Sequence, residues 1–216
     1  MRGDAAPTGA VAVVVLAAGA SSRLGTPKQL VRWRGRTLLR RAAETALASV
    51  RPGTGDWRVT RATAVSLGPV VVVLGADAQA LRAELDGLAV HVVVNRRWRD
   101  GLASSLRAGL RAAVTASGHR GPAAVLFLTC DQPYVTPSLL RRLVRRFRRG
   151  APIVACAYAG TLGVPALFAR AHFADLLGLT GDHGAKRILA RHRDAVAPVR
   201  FARGGTDVDR PRDIAS

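Results

Sequence analysis

The sequence predicts an α/β protein, a three-layer sandwich in which helices cover both faces of a mainly parallel sheet. Valine-rich apolar runs recur along the chain, and segments with the periodicity of amphipathic helices separate them. The runs are apolar almost throughout, which is typical of strands that are buried on both faces. Ligands of such sheets bind beyond the carboxyl ends of the strands. The loops that follow the strands are therefore where we expect the functional residues.

The predicted elements alternate along the chain, and Asp77 is expected to cap the second helix. A short extended segment at 30–33 and a turn at 34–36 precede the first helix. Three loops, 17–28, 95–105 and 130–136, should converge at the carboxyl edge of the sheet. The expected strands are 11–16, 69–74, 90–94, 123–128, 153–158, 164–168 and 196–201, and the expected helices are 37–48, 77–86, 104–116, 137–149, 173–179 and 184–191.

The length of 216 residues suits a single domain that spans residues 1–216. Residues 1–9 are expected to form a loose tail. The segment 51–68 contains prolines and glycines with little periodicity, so we expect an exposed insertion there.

The start of the chain has the outline of a short signal peptide, because Arg2 is followed by the run AVAVVVLAA. Asp4 argues against this interpretation, and the run is as valine-rich as the later strands. No apolar run approaches the roughly 20 residues that a membrane-spanning helix needs. We therefore expect a cytoplasmic protein with no membrane partner. Cys130 and Cys156 are too few for a disulfide framework and are expected to be buried thiols.

The formal charge of +19 favours anionic partners, and nucleic acid must be considered among them. The segment LRRLVRRFRRG at 140–150 carries much of this charge, but its apolar residues fall at helical spacing and predict a buried face. Aromatic residues for stacking on bases are scarce. Nucleic-acid binding therefore remains a distant alternative. Lys28 and Lys186 are the only lysines, and a compact ammonium suits a phosphate site that a planar guanidinium would not fit.

The stretch VAVVVLAAGASSRLGTPK, residues 11–28, predicts a buried strand that leads into a loop of small residues. With Arg23 and Lys28 in that loop, the pattern indicates a phosphate-binding site, and the alternative is a flexible connection. The spacing excludes a P-loop, since Gly19 and Gly25 are too far apart and Thr-Pro precedes the lysine. The dinucleotide fingerprint G-x-G-x-x-G is absent as well.

Carboxylates that could hold Mg²⁺ occur at two places. Asp131 follows the fourth strand in LFLTCDQP, and Asp207 and Asp209 lie in DVDRPRD. Mg²⁺ prefers one or two carboxylates together with phosphate oxygens. Asp131 could instead form a turn before Gln-Pro, and Asp209 could cap a short terminal helix.

The first loop resembles the signature L-A-A-G-x-S-S-R-x-G-x-x-K of nucleotidyltransferases that have a GT-A-like, Rossmann-type fold. The matching residues are Leu16, Ala17, Ala18, Gly19, Ser21, Ser22, Arg23, Gly25 and Lys28. Residues 95–106 resemble N-x-x-W-x-x-G-x-x-S-S-L, and 207–213 resemble D-x-D-x-P-x-D. Residues 160–168 and 179–186 resemble G-x-x-G-x-P-x-x-F and L-x-G-D-x-G-A-(K/R). The last two matches narrow the resemblance to the molybdenum cofactor cytidylyltransferases.

That resemblance implies a Mg²⁺-dependent transfer of CMP from CTP to the terminal phosphate of molybdopterin, with release of pyrophosphate and a molybdoenzyme as possible recipient. It implies that Asp131 and Asp209 share the metal, with Asp207 as the alternative to Asp209. Ala18 replaces a glycine of the guanylyl relatives, which favours a pyrimidine base. Guanylyl transfer, or transfer to another phosphorylated small molecule, stays open as an alternative.

By the same resemblance, two sets of residues are expected at the site. Ser104 and Ser105 could instead cap the following helix, and Lys186 could be a lysine of a helix surface. The expected catalytic residues are Arg23, Lys28, Asp131 and Lys186, and the expected nucleotide-binding residues are Leu16, Ala17, Ala18, Gly19, Ser21, Ser22, Arg23, Lys28, Gly75, Asn95, Ser104 and Ser105.

Overall fold

A computed structural model describes residues 9–20, 26–50 and 67–208. In this part of the chain a seven-stranded sheet has the order β5-β4-β1-β6-β8-β7-β9, and the hairpin β2–β3 stands apart from it. Strand β8 runs antiparallel to both neighbours, and every other neighbouring pair is parallel. The strands are β1 (Val11–Ala17), β2 (Arg32–Trp33), β3 (Arg36–Thr37), β4 (Leu67–Leu74), β5 (His91–Val94), β6 (Ala124–Thr129), β7 (Ile153–Tyr158), β8 (Thr161–Ala169) and β9 (Val196–Arg200).

Helices cover both faces of this sheet, which confirms the predicted three-layer α/β architecture. One apolar core lies between the sheet and the pair α1 and α4, and the other lies beneath α3, α5 and α6. The helices are α1 (Leu38–Val50), α2 (Ala78–Arg82), α3 (Leu102–Ala116), α4 (Pro137–Arg148), α5 (Phe173–Leu177) and α6 (Lys186–Arg191).

The valine-rich run near the start of the chain forms β1, in the middle of the sheet. All seven residues of β1 are buried, because helices cover both of its faces. Leu16 pairs with Val73 of β4 on one side and with Thr129 of β6 on the other. The carboxyl ends of these three strands therefore lie together, and the loops that follow them open at one edge.

The hairpin β7–β8 turns at the same edge of the sheet. Ala159 and Gly160 occupy the turn with φ angles of 46° and 72°, the positive values that a tight hairpin turn requires. Strand β7 runs parallel to β6, so this turn follows the carboxyl end of β7. Because β8 is antiparallel, β7 is followed by a hairpin turn and not by a crossover helix, and that turn lies at the edge formed by the carboxyl ends of the parallel strands.

Several predicted boundaries differ from the structure. The prediction that Asp77 caps a helix is wrong, because its φ is 55° and its side chain makes no capping hydrogen bond. Helix α2 is short and continues as a single 3₁₀ turn at Ala83–Leu85. Helix α3 begins at Leu102, earlier than predicted. Residues 67 and 68 of the predicted insertion belong to β4, while residues 51–66 and residues 1–8 of the predicted tail lie outside the described residues.

The arginine-rich helix α4 has the buried face that its spacing predicts. Thr136 caps it by accepting a hydrogen bond from the Leu139 amide at 3.2 Å. Both cysteines are buried free thiols, as expected. No helix in the described part of the chain is long and apolar enough to cross a membrane. The buried face consists of Leu139, Leu140, Leu143, Val144 and Phe147.

Candidate active site

A cleft of about 500 Å³ opens at the carboxyl ends of β1 and β6. The loops after β1, β5 and β6 all contribute to its lining, together with one residue of the 178–185 loop. Those lining residues are Leu16, Ala17, Ala18, Gly19, Ala20, Lys28, Gln29, Trp98, Arg99, Gly101, Leu102, Ser105, Thr129, Cys130, Asp131 and Asp182.

Lys28 and Asp131 form an ion pair in this cleft. The Lys28 Nζ lies 2.5 Å from Asp131 Oδ2, and the two side chains are 21% and 16% exposed. Asp131 lies two residues after the end of β6, and Lys28 begins the 3₁₀ turn Lys28–Leu30. Because the pair is shielded from bulk water, its charges are screened less than those of a surface pair. The structure thus brings together the lysine and the carboxylate that the sequence placed in different loops.

Gln29, which the sequence analysis did not select, fixes the end of the β1 loop. Its side chain is buried, and Nε2 donates hydrogen bonds to the carbonyl oxygens of Ala17 and Gly19 at 3.0 and 2.7 Å. The amide thereby connects the turn that carries Lys28 to the turn after β1. Spacing alone does not identify this role, because Gln29 follows the last residue of the matched motif.

Gly75 supports the β1 loop from behind and does not line the cleft. The amide of the next residue, Ala76, donates to the Ala18 carbonyl oxygen at 3.1 Å. A Cβ at Gly75 would lie 2.5 Å from that oxygen and 2.8 Å from the Trp98 Cβ, closer than real contacts allow. Glycine is therefore needed here so that the loops after β1 and β5 can meet.

Asn95 and Ser104 hold the loop after β5 in place. Asn95 Nδ2 donates to the hydroxyl oxygens of Ser104 and Ser105 at 2.8 and 3.0 Å. Ser104 Oγ lies within 2.8 Å of the carbonyl oxygens of Arg97 and Gly101. Asn95, Ser104 and Ser105 are all buried. Of these three side chains, only that of Ser105 lines the cleft.

The 178–185 loop closes one side of the cleft and adds Asp182, another residue that the sequence analysis did not select. The amide of Ala103 donates to the Gly181 carbonyl oxygen at 3.1 Å. Gly101 has a φ of 93°, and a Cβ there would lie 2.4 Å from the Gly181 backbone. This close approach places Asp182 in the cleft lining. The sequence signal that could have identified Asp182 is its position in the L-x-G-D part of the motif at 179–186.

Lys186 does not join the Lys28–Asp131 pair, because it lines a second cleft of about 770 Å³. It is the first residue of α6 and is exposed. Tyr158, which lies in the wall of this second cleft, is also close enough to Asp207 and Asp131 for their charges to act on it. Burial raises the pKa of the Tyr158 hydroxyl, and those two carboxylates raise it further.

The segment that contains Asp207 passes beside Asp131. The amide of Val208 donates to the Asp131 carbonyl oxygen at 2.9 Å, and the fully buried Val208 side chain packs with Trp33 and Leu38. Asp207 is exposed next to this contact. The remaining predicted site residues lie outside the described residues: Ser21, Ser22, Arg23, Gly25 and Asp209.

The Cys130 thiol lines the cleft but is not a nucleophile. Burial raises its pKa to about 12, the Asp131 carboxylate adds to the shift, and the Lys28 ammonium opposes it. A thiol with such a pKa stays protonated near neutral pH, and only the thiolate attacks electrophiles.

Comparison with known proteins assigns the family. Residues 13–196, most of the chain, match the MobA-like NTP transferase domain. The chain belongs to this family. The nicotine blue oxidoreductase of Paenarthrobacter nicotinovorans is 38% identical to this MobA-like protein over 160 residues, which is 74% of this chain and 67% of that protein.

Solved structures agree with the assignment of this MobA-like protein. Rv0371c from Mycobacterium tuberculosis H37Rv is 30% identical, with a TM-score of 0.73 and coverage of 96% of each chain. A structure of Rv0371c in complex with manganese has a TM-score of 0.68, again at 30% identity, and covers 95% of this chain and 96% of that one. A nucleotidyl transferase from Methanothermobacter shares the fold at 24% identity, with a TM-score of 0.73 and coverage of 94% of each chain.

The donor atoms of the cleft suit a hard divalent cation, in keeping with a nucleotidyltransferase family that typically uses one. Asp131 and Asp182 both line the cleft, and Asp207 precedes Val208, whose amide donates to the Asp131 carbonyl oxygen. Carboxylate oxygens are the ligands that Mg²⁺ and Mn²⁺ prefer. In the structure, Asp131 Oδ2 contacts the Lys28 ammonium, which balances the carboxylate charge.

Proposed function

We propose that this MobA-like protein transfers CMP from CTP to the terminal phosphate of the molybdenum cofactor, molybdopterin, and releases pyrophosphate. The observation that carries the proposal is the Lys28–Asp131 ion pair, at 2.5 Å, inside one cleft beyond β1 and β6. A cation for phosphate and a carboxylate for a metal are the two components that nucleotidyl transfer needs side by side. The local sequence around both residues is that of the resembled family.

Asp131 would hold Mg²⁺ together with a carboxylate of the 207–209 segment. When bound, the divalent ion would neutralise negative charge on the triphosphate and polarise the α-phosphate. In the structure the Lys28 ammonium contacts Asp131 Oδ2. With a metal bound to Asp131, the ammonium would be available to contact the phosphates. Arg23 would act with Lys28 on the departing pyrophosphate.

The reaction itself is a direct displacement. An oxygen of the acceptor phosphate forms a bond to the α-phosphorus of CTP, while the bond from that phosphorus to the oxygen bridging to the β-phosphate breaks. Pyrophosphate leaves with that bonding pair. The step needs no covalent enzyme intermediate, which agrees with the protonated state of the Cys130 thiol. The residues of the chain contribute orientation and charge.

Ala18 supports the choice of a pyrimidine base. It lines the cleft and is only 5% exposed, with its carbonyl oxygen held by the amide of Ala76. Its methyl group therefore has a fixed position beside the space for the nucleotide. A glycine there would leave additional room, which a purine could use. We expect Ala18→Gly to increase turnover of GTP relative to CTP.

The second cleft is the proposed site for the acceptor. Lys186 and Arg193 give it positive charge for a phosphorylated ligand, and its volume of about 770 Å³ exceeds that of the first cleft. Tyr158 lines the second cleft, and the charge of Asp131, which lines the first cleft, contributes to raising the pKa of its hydroxyl. An acceptor bound there could extend its phosphate towards Asp131, with Lys186 neutralising charge on that phosphate.

The decisive experiment measures pyrophosphate release with Mg²⁺, molybdopterin and each of CTP, GTP, ATP and UTP in turn. We expect turnover with CTP above the other three, and loss of turnover in Lys28→Ala and Asp131→Asn. Arg111→Ala and Asp86→Asn, at exposed positions outside the cleft, are the matched controls and should retain full activity. Retained turnover in both cleft variants would overturn the mechanism. Preference for GTP would instead support guanylyl transfer.

A second candidate, an oxidoreductase activity, is favoured by the 38% identity to nicotine blue oxidoreductase. The cations of the cleft would also suit the phosphates of a dinucleotide, although the chain lacks the G-x-G-x-x-G fingerprint. Oxidation of NADH or NADPH in the presence of an organic electron acceptor, followed by absorbance, separates this candidate from the transferase. Redox turnover without pyrophosphate release would favour it.

A further inference from the structure

A cluster of two imidazoles and one carboxylate lies outside both clefts. His172 ends the 3₁₀ turn Arg170–His172, Asp175 lies in α5, and His192 follows the last residue of α6. One ligand atom from each of the three residues lies within 4.8 Å of the others. None of these side chains has a role in the proposed transfer reaction. We propose that they bind a divalent transition-metal ion, with Zn²⁺ as the best match.

Two of the three distances in the cluster match the edges of a tetrahedral zinc site. Asp175 Oδ2 lies 3.5 Å from His172 Nδ1 and 3.2 Å from His192 Nε2. Zinc bonds of 2.0–2.1 Å in a tetrahedron separate neighbouring ligand atoms by about 3.3 Å. The two imidazole nitrogens lie within 4.8 Å of each other, so a bound ion would draw the rings together along this third edge. The three side chains are 13%, 30% and 29% exposed, so water can supply a fourth ligand.

The donor set distinguishes this site from the Asp131 cleft. Imidazole nitrogens favour Zn²⁺, Ni²⁺ and Co²⁺, whereas the oxygen donors near Asp131 favour Mg²⁺ and Mn²⁺. The two carboxylate oxygens of Asp175 have different partners. Oδ2 faces both imidazoles, and Oδ1 lies 3.4 Å from Arg191 Nη1. An outer partner of this kind orients a ligating carboxylate, and Arg191 is sufficiently exposed to move if its charge opposes the metal.

The position of the cluster gives the metal a structural consequence. His172 and Asp175 precede the 178–185 loop and His192 follows α6, so the ligands enclose the segment that brings Asp182 to the active cleft. A bound ion would join α5 to the end of α6. It would stabilise the folded state by binding to it selectively, and it would fix the base of that loop.

The test is calorimetric titration of the full chain with Zn²⁺ in excess Mg²⁺, which is added to fill the proposed metal site at Asp131. We expect one equivalent to bind, and His172→Ala and His192→Ala each to weaken binding roughly tenfold or more, since even outer-shell partners have effects of that size. His119→Ala, at an exposed turn, is the matched control. Asp131→Asn should bind zinc as the wild type does, which separates this site from the proposed catalytic metal.

Cobalt provides a second readout. Co²⁺ in a tetrahedral site with nitrogen ligands gives intense visible absorption, and we expect this band in the wild type and in His119→Ala but not in His172→Asn. Thermal unfolding without metal checks that each variant is folded. If the wild type binds no zinc, or if both histidine variants bind it with unchanged affinity, the cluster is a hydrogen-bonded network only and the proposal is wrong.

Discussion

Lys28 and Asp131 are 103 positions apart in the sequence, yet their charged groups meet at 2.5 Å between the loops after β1 and β6. The contact depends on parallel strands whose carboxyl ends are aligned. It also depends on the compact ammonium group of Lys28, which fits against Asp131 between the two loops.

Lys28→Arg should not restore function, although it keeps the charge. A planar guanidinium is larger and directs its donors in a fixed fork, so it cannot occupy the position of the ammonium. We expect turnover to fall by about 10²–10³-fold, as when one transition-state contact is removed. Pyrophosphate release measures the effect, with the exposed Arg111→Lys as control. Activity close to that of the wild type would show that charge alone is sufficient.

Gln29→Leu should destabilise the protein and weaken nucleotide binding together. It removes both hydrogen bonds from Nε2 and leaves the carbonyl oxygens of Ala17 and Gly19 without this partner. The expected cost is about 1–3 kcal/mol in the free energy of unfolding, measured by urea denaturation. The KM for CTP should rise because the β1 loop is no longer fixed. Gln79→Leu, an exposed change in α2, should stay within roughly 0.5 kcal/mol of the wild type.

Gly75→Ala should displace the β1 loop. Its new methyl group would lie 2.5 Å from the Ala18 carbonyl oxygen, which belongs to the backbone and cannot rotate away. We expect a loss of about 1–3 kcal/mol in stability, typical of overpacking, with a greater loss of turnover than stability alone explains. Thermal unfolding and the transfer assay report the two effects. The control is Gly178→Ala, where the nearest atoms would be at an ordinary 3.4 Å.

The thiols of Cys130 and Cys156 should be unreactive in the folded protein. Burial raises the pKa of each to about 12, so almost no thiolate exists at pH 8. A thiol-reactive dye should label neither residue until denaturant is added, and then label both. Rapid labelling of Cys130 in the native protein would mean that the cleft opens far wider than in the structure.

Asp175 should make stability depend on pH even when no metal is present. Burial alone would raise the pKa of this carboxyl, but hydrogen bonds from His172 and His192 and the charges of His192 and Arg191 bring it below its usual range. A lowered pKa stabilises the folded state above the usual carboxyl range, and this contribution disappears as the pH falls through the folded value.

The pH dependence can be measured with Asp175→Asn in the presence of a chelator. The difference in unfolding free energy between wild type and variant should be under about 1 kcal/mol, since the group is partly exposed. It should shrink as the pH decreases from about 6 to about 3. A difference that stays constant over this interval would indicate that packing, and not charge, is responsible.

The sequence predicts the architecture well because the strands carry a strong signal. The valines make β1 and β4 apolar on both faces, and that pattern is typical of strands that lie between two helical layers. The convergence of Lys28 and Asp131 follows from strand order once both loops are assigned. Gln29, Asp182 and the support of Ala18 by Gly75 could not be predicted, since they depend on how loops fold back on one another. Asp77 was predicted as a cap from residue type, but its backbone adopts a left-handed conformation.

The reversal of β8 has a consequence for how specificity can evolve in this fold. The first cleft lies beyond the carboxyl ends of β1 and β6, while the tight turn at Ala159 and Gly160 and the strand beside it border the second cleft. A hairpin tip tolerates substitution and insertion without disturbing the register of the other strands. Under the proposed function, substitutions at that tip would alter the cleft for the acceptor and leave the Lys28–Asp131 pair in the first cleft unchanged.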